Sequence, residues 1–176
     1  MKSYLVLTAV GPDRPGIVNE VSKFLFDRGC NLEDSRMAIL GGEFALIVLV
    51  SGGTDSIGKV RSEFAAAASK IGLTGTAKDT PGPQARKDKG FVPFQVRAVG
   101  LDHPGIVHQI AHALHQMGAN IESMETQAAS APFTGAPMFT LAMRIAVPPQ
   151  LSLAELRTKL QAVCDEVNVD VTIQPA

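Results

Sequence analysis

An internal repeat constrains this chain more than any other feature of its sequence. The segment "GPDRPGIVNEV", which begins at Gly11, returns as "GLDHPGIVHQI" from Gly100. Residues 11–38 align with 100–127 without a gap, which indicates that one structural unit has been duplicated. The identical pairs are Gly11/Gly100, Asp13/Asp102, Pro15/Pro104, Gly16/Gly105, Ile17/Ile106, Val18/Val107, Leu25/Leu114, Gly29/Gly118, Asn31/Asn120 and Glu33/Glu122.

The segments around the motif follow the same order in both copies. An apolar run precedes each motif, "SYLVLTAV" in the first copy and "FVPFQVRAV" in the second, and both runs are typical of a buried strand. After the motif, apolar residues recur at helical spacing. These residues are Ile17, Val21, Phe24 and Leu25 in the first copy and Ile106, Ile110, Leu114 and Met117 in the second.

Both ends of this first helix carry a sequence signal. Pro15 and Pro104 fit a first helical position, where the missing N–H is tolerated. Gly29 and Gly118 fit the left-handed conformation that commonly follows a helix. The sequence therefore predicts a helix with a defined start and end in each copy.

Two strands, a second helix and a last strand complete each copy. The strands "NLEDSRMAIL" and "EFALIVLV" are joined by "GG", a hairpin signal, whereas "NIESMETQA" and "MFTLAMRIAV" are separated by the longer "ASAPFTGAP". The last strands are "LTGTAKD" and "VDVTIQ". The order βαββαβ, written twice, predicts an α+β protein of two ferredoxin-like domains, each an antiparallel sheet with both helices on one face. Each second helix also has apolar residues at helical spacing: Ile57, Val60, Phe64 and Ile71 in the first copy, and Leu153, Leu156, Leu160 and Val163 in the second. Ser152 and Glu155 form a capping-box pattern at the start of the second of these helices.

The segment "TPGPQARKDKG" between the copies is rich in Pro and Gly, charged and without periodicity. We therefore predict an N-terminal domain at 1–79, a linker at 80–91 and a C-terminal domain at 92–176. Domains of this size leave sheet edges and one sheet face uncovered. We expect these surfaces to associate, between the copies or between chains, and we expect a homo-oligomer.

The composition excludes several classes of protein. A net charge of -1 provides no broad basic field, so we expect no direct binding to nucleic acid. Cys30 and Cys164 are too few for a disulfide framework or a zinc cluster, and we expect reduced core thiols. The apolar run at the amino terminus is too short to cross a membrane and has no cleavage pattern. We expect a cytoplasmic protein without a membrane partner.

The repeated turn is the candidate binding site. The start of a helix offers free N–H groups and the positive end of its dipole, which suits a carboxylate. Gly11, Gly16, Gly100 and Gly105 permit the close approach of a ligand or of another backbone segment. The alternative is that Gly and Pro only build a tight strand-to-helix turn. Neither G-x-G-x-x-G nor the Lys-Ser/Thr pair of a P-loop is present, so no nucleotide is expected.

Two pairs of polar residues could complete a site for an amino acid. Asp13 and Asp102 could each hold an ammonium group, or could simply cap the helix. Asn31 and Asn120 open the second strand, which we expect to run close to the end of the first strand. Each could then supply an amide to the same ligand, with turn formation as the alternative role.

Catalytic and metal chemistry find no support in the sequence. His108, His112 and His115 share one helix, but they lie opposite its apolar stripe and no further ligand completes a metal site. His103 lies in the turn itself, as an exposed residue or as a contact to a partner or ligand. No nucleophile motif such as G-x-S-x-G occurs. We therefore predict a protein that is not an enzyme, with no catalytic residue, metal or cofactor.

Two segments outside the turns have open roles. Phe133 in the long hairpin could dock on a neighbouring copy or a partner, or pack on its own sheet. The basic run of Arg86, Lys87 and Lys89 is expected to be solvated.

The turn "D-x-P-G-I-V", followed by "G-x-N-I/L-E", resembles the ACT regulatory domain of amino-acid-responsive enzymes and sensors. The tandem arrangement is similar to the transcriptional repressors of the glycine cleavage system, with "SAPFTGAPMF" in the second copy and "VP" closing its third strand. This resemblance covers nearly the whole chain. It implies a sensor without a catalytic domain.

The resemblance implies binding of a small amino acid, with glycine as one candidate, where paired ACT units meet. In the repressor group the protein acts on a DNA-binding regulatory protein and not on DNA. Serine-binding members carry Asn at the positions of Asp13 and Asp102, so the ligand is not specified. The alternatives are an interaction module that binds no ligand, or a small hydrolase or metal enzyme. The matching positions are Gly11, Asp13, Gly16, Ile17 and Asn31, and Gly100, Asp102, Gly105, Ile106 and Asn120.

Overall fold

The chain divides into two compact units, Met1–Lys87 and Asp88–Ala176, each with its own hydrophobic core. The structure, a computed structural model, describes residues 2–83, 90–131 and 134–176. The basic run at 86–89 and Phe133, whose roles are open in the sequence, lie outside the described residues.

The N-terminal unit has the order βαββαβ that the sequence predicts. Its last strand ends at Thr80, the first residue of the predicted linker, and the predicted domain boundaries remain a prediction. The elements are β1 (Lys2–Pro12), α1 (Ile17–Phe26), β2 (Asn31–Leu40), β3 (Glu43–Gly53), α2 (Thr54–Lys70) and β4 (Thr74–Thr80).

The C-terminal unit repeats the same order. Its elements are β5 (Val92–Leu101), α3 (Ile106–Gln116), β6 (Asn120–Ser130), β7 (Pro137–Val147), α4 (Leu153–Glu166) and β8 (Val169–Pro175).

Each unit contains one four-stranded sheet in which every neighbouring pair is antiparallel. The strand orders are β2-β3-β1-β4 and β6-β7-β5-β8. Gly41 and Gly42 form the β2–β3 turn with φ of 61° and 86°, as the "GG" signal predicts. The predicted fold class, two ferredoxin-like domains, is confirmed.

Alternation along the central strands positions the core. In β1, Leu5, Leu7 and Ala9 are buried and the residues between them are not. The helices pack on this face because each carries an apolar stripe: Ile17, Val21 and Leu25 are the buried residues of α1. The corresponding buried set in α3 is Ile106, Ile110, Ala113 and Leu114.

The start of the first helix differs from the prediction. Gly16 and Gly105 are the residues that precede the helices, with φ of 97° and 104°, so Pro15 and Pro104 lie before the helix and not at its first position. The turn must reverse the chain direction within a few residues, and only glycine enters such positive φ values without strain. The end of the helix agrees with the prediction, since Gly29 and Gly118 have φ of 67° and 70°.

The predicted cap of the last helix is present. Ser152 precedes α4, and its side chain accepts a hydrogen bond of 3.1 Å from the backbone N–H of Glu155. Within the described residues, no helix combines the length and the apolar character that a bilayer crossing requires.

Candidate functional site

The repeated turn presents the start of a helix that no side chain caps. The residue before each helix is a glycine, Gly16 or Gly105, which has no side chain to accept from the first backbone N–H groups. The first helical bonds run from Glu20 N to Gly16 O at 2.9 Å and from Gln109 N to Gly105 O at 3.0 Å. The N–H groups of the first turn therefore remain available to an anion.

Hairpin turns hold the start of this segment in both units. The backbone N–H of Asp13 donates to Gly42 O at 2.9 Å, and that of Asp102 donates to Pro137 O at 2.8 Å. Both aspartates are exposed, and each lies three residues before the glycine that precedes the helix. The glycine occupies the N-cap position, so the aspartates do not cap the helix.

The isoleucines of the motif serve the core. Ile17 and Ile106 are only 2% and 1% exposed, so their side chains contact the sheet and not the outside of the turn. Only their backbone N–H groups could contribute to a ligand site.

Gly11 and Gly100 are required by packing against another backbone segment. A Cβ at Gly11 would lie 2.5 Å from Gly72 O, and one at Gly100 would lie 2.7 Å from Asn168 O. Both distances are too short for any side chain. Glycine at these two positions therefore allows the first strand to pack against the turn between the second helix and the last strand. Of the two roles that the sequence left open, close approach of a backbone is the one observed.

The two asparagines lie at the far end of the sheet from the turn of their own unit. Asn31 pairs with Ser51, which pairs with Tyr4 near the start of β1, whereas Gly11 pairs with Phe44 near its end. At about 3.4 Å per residue the separation along the strand is roughly 24 Å. The expectation that β2 places Asn31 close to the end of β1 is wrong, because the crossover through α1 returns the chain to the opposite end of the sheet, where β3, the strand between β2 and β1, pairs with the start of β1.

In the C-terminal unit the same separation holds. Asn120 pairs with Ala146, opposite Pro93 at the start of β5, whereas Gly100 pairs with Phe139. Within one unit the turn and the asparagine cannot contact the same small ligand.

Asn31 instead belongs to a polar cluster around Glu33. The Oε1 atom of Glu33 accepts from Lys2 Nζ at 2.7 Å, from Ser51 Oγ at 2.5 Å and from Asn31 Nδ2 at 3.5 Å. The bond from Lys2, followed by that from Ser51, lowers the pKa of Glu33 to about 2. Ser51 is only 1% exposed, so this carboxylate satisfies a buried hydroxyl.

A β-bulge explains the repeated glutamate, a role that sequence reasoning missed. The register shifts between Leu32 and Asp34 and again between Ile121 and Ser123, so Glu33 and Glu122 are the extra residues. Glu122 accepts from Arg144 Nε at 3.0 Å. The identity of Glu33 and Glu122 in the repeat was the signal that could have indicated this shared role.

A shallow groove of about 450 Å³ runs between the outer side of α1 and the start of β2. Amide, hydroxyl and ammonium groups line it together with apolar surface, which suits a small polar ligand. Its lining residues include Asn19, Ser22, Lys23, Phe26 and Asn31.

The histidines of α3 lie on its outer side. His108, His112 and His115 are exposed, and the rings of His108 and His112 stack with centroids 6.0 Å apart. His112 Nε2 lies 2.9 Å from Gln116 Nε2. In the part of the chain that the structure describes, no three side chains of His, Cys, Asp or Glu come together as metal ligands.

The cysteines differ in their surroundings. Both are free; Cys164 is buried, and burial raises its pKa to about 11. Cys30 is half-buried, and burial also raises the pKa of its thiol. Neither environment favours a thiolate nucleophile.

Two solved structures are similar to this chain over almost its whole length. A crystal structure of an unknown protein from Galdieria sulphuraria covers 100% of this chain and 99% of its own, with 32% identity and a TM-score of 0.87. A second crystal structure, provisionally described as a glycine cleavage system transcriptional repressor, covers 99% and 97% with 27% identity and a TM-score of 0.73.

A curated relative has the same extent. The glycine cleavage system transcriptional repressor of Escherichia coli (strain K12) is 29% identical over 170 residues, which is 97% of this chain and 88% of the relative. The family model described as "ACT domain" matches residues 3–78 and 93–174, one match in each unit. The chain therefore belongs to the ACT domain family and contains two ACT domains in tandem.

Proposed function

We propose that this chain is a non-catalytic regulatory protein that senses a small amino acid and controls a DNA-binding transcription factor by direct contact. The observation that carries the proposal is the doubled turn: both units hold an uncapped helix start in the same geometry, with an exposed aspartate beside it. A helix start favours the carboxylate of an amino acid and an aspartate favours its ammonium group. Glycine remains one candidate.

The separation of the turn from the asparagine in one unit favours a site shared between copies of the chain. If two copies meet with their β2 edges antiparallel, the end of one sheet that carries the turn approaches the end of the other that carries Asn31. The groove along α1 would then lie at the interface. We therefore propose a homo-oligomer, in which the turn formed by Gly11, Asp13, Gly16 and Ile17 presents its backbone N–H groups and the Asp13 carboxylate to Asn31 of the second copy.

The C-terminal set offers an equivalent arrangement. Gly100, Asp102, Gly105 and Ile106 form its turn, and Asn120 opens β6 at the opposite end. Each copy would therefore bring two turns and two asparagines to the assembly.

The affinity of such a site has a ceiling. Glycine has about five heavy atoms, and at about 1.5 kcal/mol per atom its binding free energy cannot much exceed about 7.5 kcal/mol. This corresponds to a micromolar Kd at best, which suits a sensor of a metabolite that is abundant.

The regulatory partner is proposed from the relatives. The E. coli relative is a transcriptional repressor, and a net charge of -1 argues against an extended phosphate contact by this chain itself. We propose that it acts on a DNA-binding protein in the cytoplasm.

Calorimetric titration of the intact protein with each of the twenty amino acids tests the sensing proposal. Binding of at least one, weakened in both Asp13→Ala and Asn31→Ala, is the expected result. Ser62→Ala is the matched control, because Ser62 is exposed on α2 outside this groove and its hydroxyl bonds to Gly58 O and Lys59 O of the same helix. No heat with any amino acid, from a folded sample, would refute the proposal.

Sedimentation analysis tests the oligomer separately. A concentration-dependent dimer that Asn31→Arg weakens supports the shared site, since a bulky cation would lie at the proposed interface. A monomer at all concentrations, with amino acid present, would contradict it.

One observation favours a second function, an interaction module without a ligand. The packing of Gly11 against Gly72 O accounts for that glycine without any ligand. Capture of a regulatory protein with an affinity that no amino acid changes would support this alternative.

A further inference from the structure

Both ring nitrogens of His103 lie against backbone carbonyl oxygens. Nδ1 is 3.1 Å from Pro104 O, in the turn that precedes α3, and Nε2 is 2.8 Å from Val167 O, the residue that follows α4. A carbonyl oxygen only accepts, and a neutral imidazole has a single N–H. Both contacts are therefore hydrogen bonds only when the imidazole is protonated.

The N-terminal unit has the same connection with a different side chain. Arg14 replaces His103 in the repeat, and its guanidinium donates to Pro15 O and to Ile71 O, each at 3.2 Å. Ile71 follows α2 as Val167 follows α4. We call this connection between the two turns the turn clamp.

The two clamps differ in how they respond to pH. A guanidinium stays protonated throughout the range in which proteins are folded, whereas an imidazole loses its second proton near neutrality. Arg14 is also fixed by Glu20, whose carboxylate accepts at 2.7 and 2.8 Å. The repeat places the neutral Gln109 at the position of Glu20. At the position of Glu20, the repeat therefore offers His103 no carboxylate that would form an ion pair with it.

The surroundings of His103 favour its protonated form. Val167 follows the last residue of α4, where the negative end of the helix dipole favours a cation. The bond to Val167 O, then that to Pro104 O, raises the pKa of His103 above its ordinary 6.5, and the charge of Asp102 acts in the same direction. The other titratable side chains on the segments that meet here are Asp165 and Glu166 in α4, Asp170 in β8 and His108 in α3.

We propose that His103 is a protonation-dependent positioning residue: its imidazolium holds the C-terminal turn to the end of α4 through two hydrogen bonds, and loss of one proton leaves a single bond and loosens this turn, while Arg14 keeps the N-terminal turn fixed. Because the folded state favours the proton, both hydrogen bonds of the clamp are present at low pH, and one of them is lost as the pH rises through the raised pKa of His103. Any effect on amino-acid binding at Gly105 rests on the proposed function. The clamp itself does not.

An NMR titration of the intact protein without any amino acid tests the clamp. The imidazole signal that disappears in His103→Arg should titrate above pH 6.5. The backbone amide signals of Gly105 and Asn168 should move with the same midpoint, whereas those of Gly16 and Gly72 should not.

Two variants make the test specific. In His103→Arg the amides of Gly105 and Asn168 should lose this pH dependence, and Arg14→His should introduce it at Gly16 and Gly72. Should either variant fail to fold, His103→Gln serves instead, because its amide cannot titrate. His115→Asn is the matched control, since it removes an exposed histidine in the last turn of α3, at the far end of the helix from the clamp.

A His103 signal that titrates at or below pH 6.5 would overturn the proposal, and so would unchanged pH dependence of the Gly105 amide in His103→Arg or His103→Gln. The calorimetric result is independent of this outcome. Absence of amino-acid binding would remove the sensing function and leave the clamp, whereas failure of the clamp would leave binding intact.

Discussion

Gly11 lies so close to the carbonyl oxygen of Gly72 that a Cβ at position 11 would be 2.5 Å from it. The same relation joins Gly100 to Asn168 O, at 2.7 Å, in the second unit. The repeated glycine therefore allows the first strand to pass the turn before the last strand, which is also the turn that Arg14 and His103 clamp.

Gly11→Ala should destabilise the protein by roughly 1–3 kcal/mol, because the methyl group would overlap the backbone of Gly72 and Leu73 in the turn before β4. Urea unfolding followed by circular dichroism measures the change. Gly58→Ala is the control: it lies in α2 with nothing within 4 Å of the added methyl group, and it should stabilise by roughly 0.5–1 kcal/mol. Equal effects of the two variants would contradict the packing role of Gly11.

Asp102→Ala separates a structural role from a binding role. The carboxylate is exposed and does not occupy the cap position, so the free energy of unfolding should change by less than about 0.5 kcal/mol. Under the proposed function the loss of a charged contact to the ammonium should weaken amino-acid binding by about tenfold or more. Thermal unfolding and calorimetry check the two halves. A large loss of stability would show that the aspartate acts through the fold.

Ser51→Ala should raise the pKa of Glu33, because it removes a hydrogen bond that favours the carboxylate. In the wild type the pKa is about 2, below the ordinary 4.5, so this carboxylate contributes stability that is complete above pH 4.5 and lost as the pH falls toward 2. The variant should begin acid unfolding at a higher pH. Carbon NMR of the Glu33 carboxyl and an acid titration of the circular dichroism measure both effects.

Ala146 provides a comparison for that experiment. It takes the place of Ser51 in the C-terminal unit, where it pairs with Asn120 as Ser51 pairs with Asn31. An unchanged pKa of Glu33 in Ser51→Ala would show that the hydroxyl of Ser51 does not stabilise the carboxylate.

The two thiols should report on the unfolding of the two units. Cys164 is buried with a pKa of about 11, so it should react with a thiol reagent at pH 8 only after the C-terminal unit opens. Cys30 is half-buried and should react first. Labelling rates of Cys30→Ser and Cys164→Ser measure each thiol alone. Faster labelling of Cys164 than of Cys30 in native protein would be the contrary result.

The repeat and the apolar periodicity were sufficient to predict every element, its order and the fold class. The spacing of apolar residues shows whether a segment is a helix or a strand and which face of it is buried. This spacing is a local property, so it can be read from the sequence. The glycines after α1 and α3 and the cap at Ser152 were also correct, since the residues that end or begin a helix act within one turn.

The start of the first helix and the position of the asparagines could not be derived in this way. Pro15 satisfied the local rule for a first helical residue. The tight turn nevertheless places Gly16 at the N-cap, and α1 begins at Ile17. Asn31 follows Gly11 closely along the chain, yet the α1 crossover carries it to the opposite end of the sheet.

The sequence by itself determined that one βαββαβ unit occurs twice, because duplication and periodicity are written along the chain. Only the tertiary structure decided that Arg14 meets Ile71 O and that His103 meets Val167 O. Those carbonyls come from segments remote in sequence, and a hydrogen bond between remote groups depends on how the sheet and helices bring them together. The same fold thus holds one turn with a permanent charge and the other with a titratable one.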